Sequence, residues 1–65
     1  MKLVKISYDI SNKNVNCLVE YRPTENVVSH FVIAIPEWEL LELNPDWWET
    51  ECKQILNIRL NEELQ

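Results

Sequence analysis

Apolar and polar side chains alternate with a period of two along the first third of the chain. Val4, Ile6, Tyr8 and Ile10 share one face of a first run, and Lys5, Ser7 and Asp9 share the other. This predicts a half-buried strand over residues 3–10. Val15, Cys17, Val19 and Tyr21 repeat the pattern over 15–21, opposite Asn16 and Glu20. A third apolar run, Val27 to Ile35, follows Arg22-Pro23-Thr24-Glu25-Asn26, where proline and asparagine favour a turn. Three such runs joined by short turn-forming stretches predict an antiparallel meander.

The alternation also suggests a register. If Ile10 pairs with Val15, then Tyr8 faces Cys17, Ile6 faces Val19 and Val4 faces Tyr21. Lys5 then lies opposite Glu20, an opposite-charge pair that contributes about 0.2–1 kcal/mol. In the second hairpin Tyr21 would pair with Val27, Val19 with Ser29, Cys17 with Phe31 and Val15 with Ile33. That register places His30 opposite Leu18. A slip of one residue would send each apolar set to the wrong face. With no glycine in the chain, turn positions that need positive φ should fall to Asn12, Asn14 or Asn26.

The third run is apolar on its other face too, at Val28, His30, Val32 and Ala34, joined by Leu18 with Leu3 as a further candidate. An apolar edge strand is usually covered or paired. The cover is either the chain at 37–43 or a second copy, and the sequence favours a homodimer through Leu18, Val28, His30, Val32 and Ala34.

Pro36 stops the third strand, since it has no amide hydrogen for the ladder. The pattern at 37–43 predicts a short helical turn. Asn44-Pro45-Asp46 is a helix start, with a capping side chain, a proline suited to the first position and an acid at the positive end of the dipole. From there Trp48, Cys52, Ile55 and Arg59 form one stripe, flanked by Trp47, Leu56 and Ile58, as in an amphipathic helix. Drawn from Pro45 to Glu63, it is about 28 Å long, enough to cover one face of the meander. The fold expected is α+β, a three-stranded antiparallel meander, a short helical turn and a C-terminal helix packed on one sheet face, in one domain over 1–65. Its core should hold Val4, Ile6, Tyr8, Ile10, Val15, Cys17, Val19, Tyr21, Phe31, Ile33, Ile35, Trp48, Cys52 and Ile55.

A chain of 65 residues buries proportionally little surface, so a partner would add needed stability. The start alternates like a strand and no apolar run is long enough for a bilayer, which points to a soluble cytoplasmic protein. Two cysteines without an export signal are expected as reduced thiols. One histidine and two isolated cysteines have no metal-ligand spacing, so no metal or other cofactor is expected. The net charge of −5 is uneven. Residues 1–35 carry four basic and three acidic side chains, whereas residues 36–65 carry two basic and eight acidic ones. Such a field favours basic partners and repels phosphates, although acidity also keeps a small domain in solution.

The chemistry-bearing residues each have a plain structural reading. His30 is a potential base, yet without a positioned partner it reads as a polar residue on a sheet face. Cys17 and Cys52 both point toward the sheet–helix core; they form either a redox pair or two small buried hydrophobes, and the second is the expectation. No phosphate-binding glycine loop, nucleophile–base pair or calcium-loop spacing is present, and no enzyme is expected. The carboxylates Glu37, Glu39, Glu42 and Asp46, with Glu49 and Glu51, read as the solvated face of two helices unless they serve the two neighbouring tryptophans. Trp38 and Trp47 either close the ends of a small core or stand exposed amid acids, as at an interface for apolar and basic groups.

The function expected is therefore a small acidic, non-enzymatic protein-interaction module, an adaptor or regulator. Trp38, Trp47, Glu37, Glu39, Glu42 and Asp46 would contact a basic or amphipathic partner. The alternative is an acidic inhibitor that occupies a nucleic-acid-binding site of its target. A third reading places nucleic acid on Lys2, Lys5, Lys13 and Arg22.

Overall fold

Each apolar run pairs with the next in chain order. The computed structural model describes residues 1–41, 43–62 and 64. It is an α+β fold in which strands β1 (Lys2–Asp9), β2 (Asn14–Thr24) and β3 (Val27–Pro36) form an open antiparallel sheet in the order β1-β2-β3. A 3-10 turn (Glu37–Glu39) and one helix, α1 (Pro45–Leu60), complete it.

The register differs from the sequence expectation by two residues in both hairpins. Tyr8 pairs with Val15 and Ile6 with Cys17, while Val19 pairs with Phe31 and Val15 with Ile35. A two-residue slip keeps every side chain on its face, so the alternation alone does not separate the two registers. Loop chemistry does. The Asp9 carboxylate accepts from both the backbone N (3.3 Å) and Nδ2 (2.8 Å) of Asn12, which closes the turn right after Asp9 and leaves Ile10 in the loop, 78% exposed.

Near its start β1 shifts register between Leu3 and Lys5. Val4 is the extra residue of this bulge and leaves the apolar face, and Leu3, opposite Val19, takes its place against the core. Lys2, rather than Lys5, lies opposite Glu20. A second shift between Tyr21 and Thr24 admits Pro23, whose missing N–H is tolerated at a bulge. The strand thus runs on to Thr24 and only Glu25-Asn26 form the turn. Positive φ falls on Lys13 (54°) and Asn61 (50°) among the described residues, and not on Asn12, Asn14 or Asn26.

Helix α1 begins as its sequence predicts: Asn44 caps it by accepting from Asp46 N at 3.1 Å, and Pro45 takes the first position. It stops at Leu60, short of the Glu63 expected, because Asn61 turns left-handed and its N–H returns to Asn57 O. Glu63 itself lies outside the described residues. The Asn57 side chain accepts from Leu64 N at 2.7 Å, which folds the buried Leu64 back onto the core.

The core is the β2 triplet Val15, Cys17 and Val19 with Ile35, Leu40, Cys52, Leu56 and Leu64. Met1, Leu3, Ile6, Phe31, Ile33, Trp48, Ile55 and Leu60 pack around it half-buried. Val4, Ile10 and Tyr21, expected inside, are exposed at the two bulges and in the first loop, and Tyr8, on the outer strand β1, is 38% exposed with its ring 5.5 Å from that of Trp48. The outer sheet face is left open. Val28, His30, Val32 and Ala34 are exposed and Leu18 is half-buried, because the chain beyond Pro36 turns to the helix side, where Leu40 enters the core. Residues 37–41 therefore do not cover that face. Among the described residues no helix is long and apolar enough to cross a membrane.

Candidate functional site

The segment between β3 and α1 is fixed at several points. Glu37 N donates to Lys13 O at 2.9 Å, one step beyond the last strand pair, and Leu40 N closes the 3-10 turn on Glu37 O at 3.1 Å. The Tyr8 hydroxyl donates to Glu37 Oε2 at 3.0 Å, and Glu51 Oε2 accepts from Leu41 N at 3.0 Å. Arg59, in the last turn of α1, forms an ion pair with Glu39. Arg59 thus links the end of α1 to the hinge.

With Leu40 committed to the core, the side chains on either side of it are turned outward. Trp38 is 81% exposed and Leu41 95%, and Leu43 is exposed as well. Pro36, Trp38, Leu40, Leu41 and Leu43 line a groove of about 700 Å³, closed on its other side by Asn12, Lys13 and Asn14 of the first hairpin loop, with Glu37 at its wall. Its surface is chiefly aromatic and aliphatic, with an amide and charged rim, the makeup of a site that takes an apolar group and fixes its orientation by a few polar contacts.

The predicted site residues separate into groups. Trp38 and Glu37 are in the groove. Trp47 (55% exposed) and Asp46 belong to the first turn of α1, and neither lines the groove. Glu39 is neutralised by Arg59, and Glu42 lies outside the described residues. Leu40, Leu41, Leu43 and the 12–14 loop were not anticipated. The helical turn read over 37–43 does not show which of its apolar side chains enters the core and which stay outside; Leu40 does the first, and Leu41 and Leu43 the second.

The remaining groups are placed as follows. His30 lies opposite Glu20, not Leu18, with Nε2 3.7 Å from Glu20 Oε1, and Arg22 Nε is 3.6 Å from Glu20 Oε2. Glu20 thus gathers His30 and Arg22 on the outer face. Lys13 stands in the loop at the opposite end of β2 from Arg22, so the basic residues of the first half form no single stripe. Cys17 and Cys52 are both free and fully buried, and their thiols hydrogen-bond. The bond to Cys17, and then burial, push the Cys52 thiol well above the usual range. Among the described residues no cluster of metal-binding side chains occurs.

Comparison of the chain with protein-family models, curated proteins and solved structures found no match.

Proposed function

We propose that the protein is a non-enzymatic interaction module whose hinge groove docks a basic, amphipathic segment of another protein. The observation that carries this reading is the exposure of Trp38, Leu41 and Leu43 around one groove. Exposed apolar side chains that are contiguous, unlike scattered ones, mark sites of association. Backbone and side-chain ties hold this segment in place, so little ordering entropy would oppose binding.

Charge selects the occupant. Residues 36–65 carry eight acidic and two basic side chains, and both of those two are already paired, Arg59 with Glu39 and Lys53 with Glu49. A segment with lysine or arginine on one face and aliphatic residues on the other complements both features. Trp47, exposed in the first turn of α1, offers a second ring outside the groove. The reading takes the protein to act in the cytoplasm, where buried thiols remain reduced. The alternative, an acidic chain that occupies a nucleic-acid site, is less well served by a hinge whose Glu37, Glu39 and Glu51 are engaged within the chain.

The test is association with a synthetic helical peptide of leucine and lysine, followed by tryptophan fluorescence at several salt concentrations. The rate should fall as salt rises, and the variant Glu37→Gln/Glu42→Gln/Asp46→Asn should associate more slowly with a flatter salt dependence. An unchanged rate would remove the steering claim, and no association at about 1 mM peptide would remove the docking claim.

A further inference from the structure

The free edge of β3 has a backbone complementary to itself. Because Glu37 N donates to Lys13 O, these two residues form a hydrogen-bonded pair at the end of the β2–β3 ladder. Such pairs alternate with non-bonded ones along an antiparallel ladder, and the register is unbroken from Asn14–Pro36 to Tyr21–Ser29. Ser29, Phe31, Ile33 and Ile35 therefore direct their N–H and C=O groups to β2. Val28, His30, Val32 and Ala34 direct theirs away from it, to the open edge. Pro36 continues this second series, where its missing N–H removes no bond to β2.

The two edges of the sheet differ. On β1 the ladder is broken between Leu3 and Lys5, and the exposed Lys2 and Lys5 flank the break; bulges and lysines are the usual guards against edge pairing. On β3 a run of ten residues carries no lysine, arginine or carboxylate. Both of its faces are unfinished as well: Phe31 and Ile33 are only half-buried on the helix side, and Val32 is 61% exposed on the other.

We propose that two copies of the chain join β3 to β3 about a two-fold axis through Phe31, giving one continuous six-stranded antiparallel sheet. In this register Val28 of one copy pairs with Ala34 of the other, and His30 with Val32, so all four outward-directed residues are used twice over. Centring on Val32 instead sets Val28 against Pro36, which has no N–H, and centring on His30 sets Ala34 against Asn26 in the turn. Phe31 meets its own twin in a non-bonded pair, the closer kind, at about 4.5 Å between Cα atoms. The second ring covers the half-buried one, and no like charges are opposed, since His30 faces Val32. The inference stands on backbone geometry and is independent of the groove reading.

Sedimentation equilibrium and amide hydrogen exchange on the wild-type chain test it together. The expected result is twice the single-chain mass of 7.8 kDa at micromolar concentration, with exchange at Val28, His30, Val32 and Ala34 slowed at least about tenfold relative to the dilute monomer. Val32→Pro, which deletes an edge N–H and none directed to β2, should restore the single-chain mass with an unchanged circular dichroism spectrum. Val32→Thr should stay dimeric. A single-chain mass up to about 1 mM would overturn the proposal, as would a double-mass species whose four edge amides exchange unprotected, or a folded Val32→Pro that still dimerises. If Val32→Pro does not fold, wild-type exchange decides alone.

Discussion

The Tyr8 hydroxyl donates to Glu37 Oε2 at 3.0 Å, so the end of β1 holds the residue at which the chain leaves β3 and enters the groove wall. That bond, followed by burial and the Glu37 charge, raises the Tyr8 phenol above its ordinary value of 10.0. A pKa raised by folding contributes stability that is full below about pH 10 and is lost as pH rises through the folded value. Tyr8→Phe should therefore be less stable than wild type at pH 7, and the gap should close above the folded pKa. Urea midpoints at neutral and strongly alkaline pH check this, and a gap that persists at high pH would show that the hydroxyl does not anchor Glu37.

The two branched residues Leu56 and Ile10 should behave oppositely. Leu56 is fully buried between α1 and the sheet, and Leu56→Ala should cost about 2–5 kcal/mol. That is a large part of the roughly 3–10 kcal/mol typical of a chain this long. Ile10→Ala, in an open loop, should change stability by no more than about 0.5 kcal/mol. Equal losses at both positions in urea unfolding would favour the register read from alternation over the one described.

Lys13 holds φ at 54° with no glycine in the chain to take that place. A left-handed residue with a side chain costs about 1–2 kcal/mol, partly offset by the extra unfolded-state freedom of glycine, about 0.4–1 kcal/mol. Lys13→Gly should raise the urea midpoint modestly, by up to about 1 kcal/mol in stability. A lowered midpoint would mean that the Lys13 side chain contributes more than its backbone costs.

Cys17 and Cys52 are enclosed by the core on every side. A thiol reagent such as dithionitrobenzoate should find both only after denaturation, since burial keeps thiols inert. Rapid reaction of either in the native protein would contradict the packing of α1 on β2.

Most of the fold was legible because its signals were periodic or local. Alternation placed the three strands and their faces, and Asn44-Pro45-Asp46 placed the start of α1 as observed. Register was not legible, since shifts by two are equivalent on a period of two and the decision lay with the Asp9–Asn12 bonds and the bulges at Val4 and Pro23. The core members Leu40 and Leu64 sit in segments without periodicity and became visible only through tertiary contacts. At the candidate site, composition pointed to Trp38 and its neighbouring acids. It did not reveal that Leu41 and Leu43 turn outward with Trp38, because that depends on Leu40 taking the single inward position.

The central claim is that the hinge groove is the docking surface. The indole N–H signals of the three tryptophans report on it separately in a nitrogen-15 spectrum, each from a different environment. On titration with the leucine–lysine peptide, the Trp38 indole should shift most, Trp47 less and the half-buried Trp48 least. Trp38→Ala should weaken binding at least about tenfold, or about 1.4 kcal/mol. Peptide binding that leaves the Trp38 signal unmoved, or that survives Trp38→Ala at full affinity, would contradict the account.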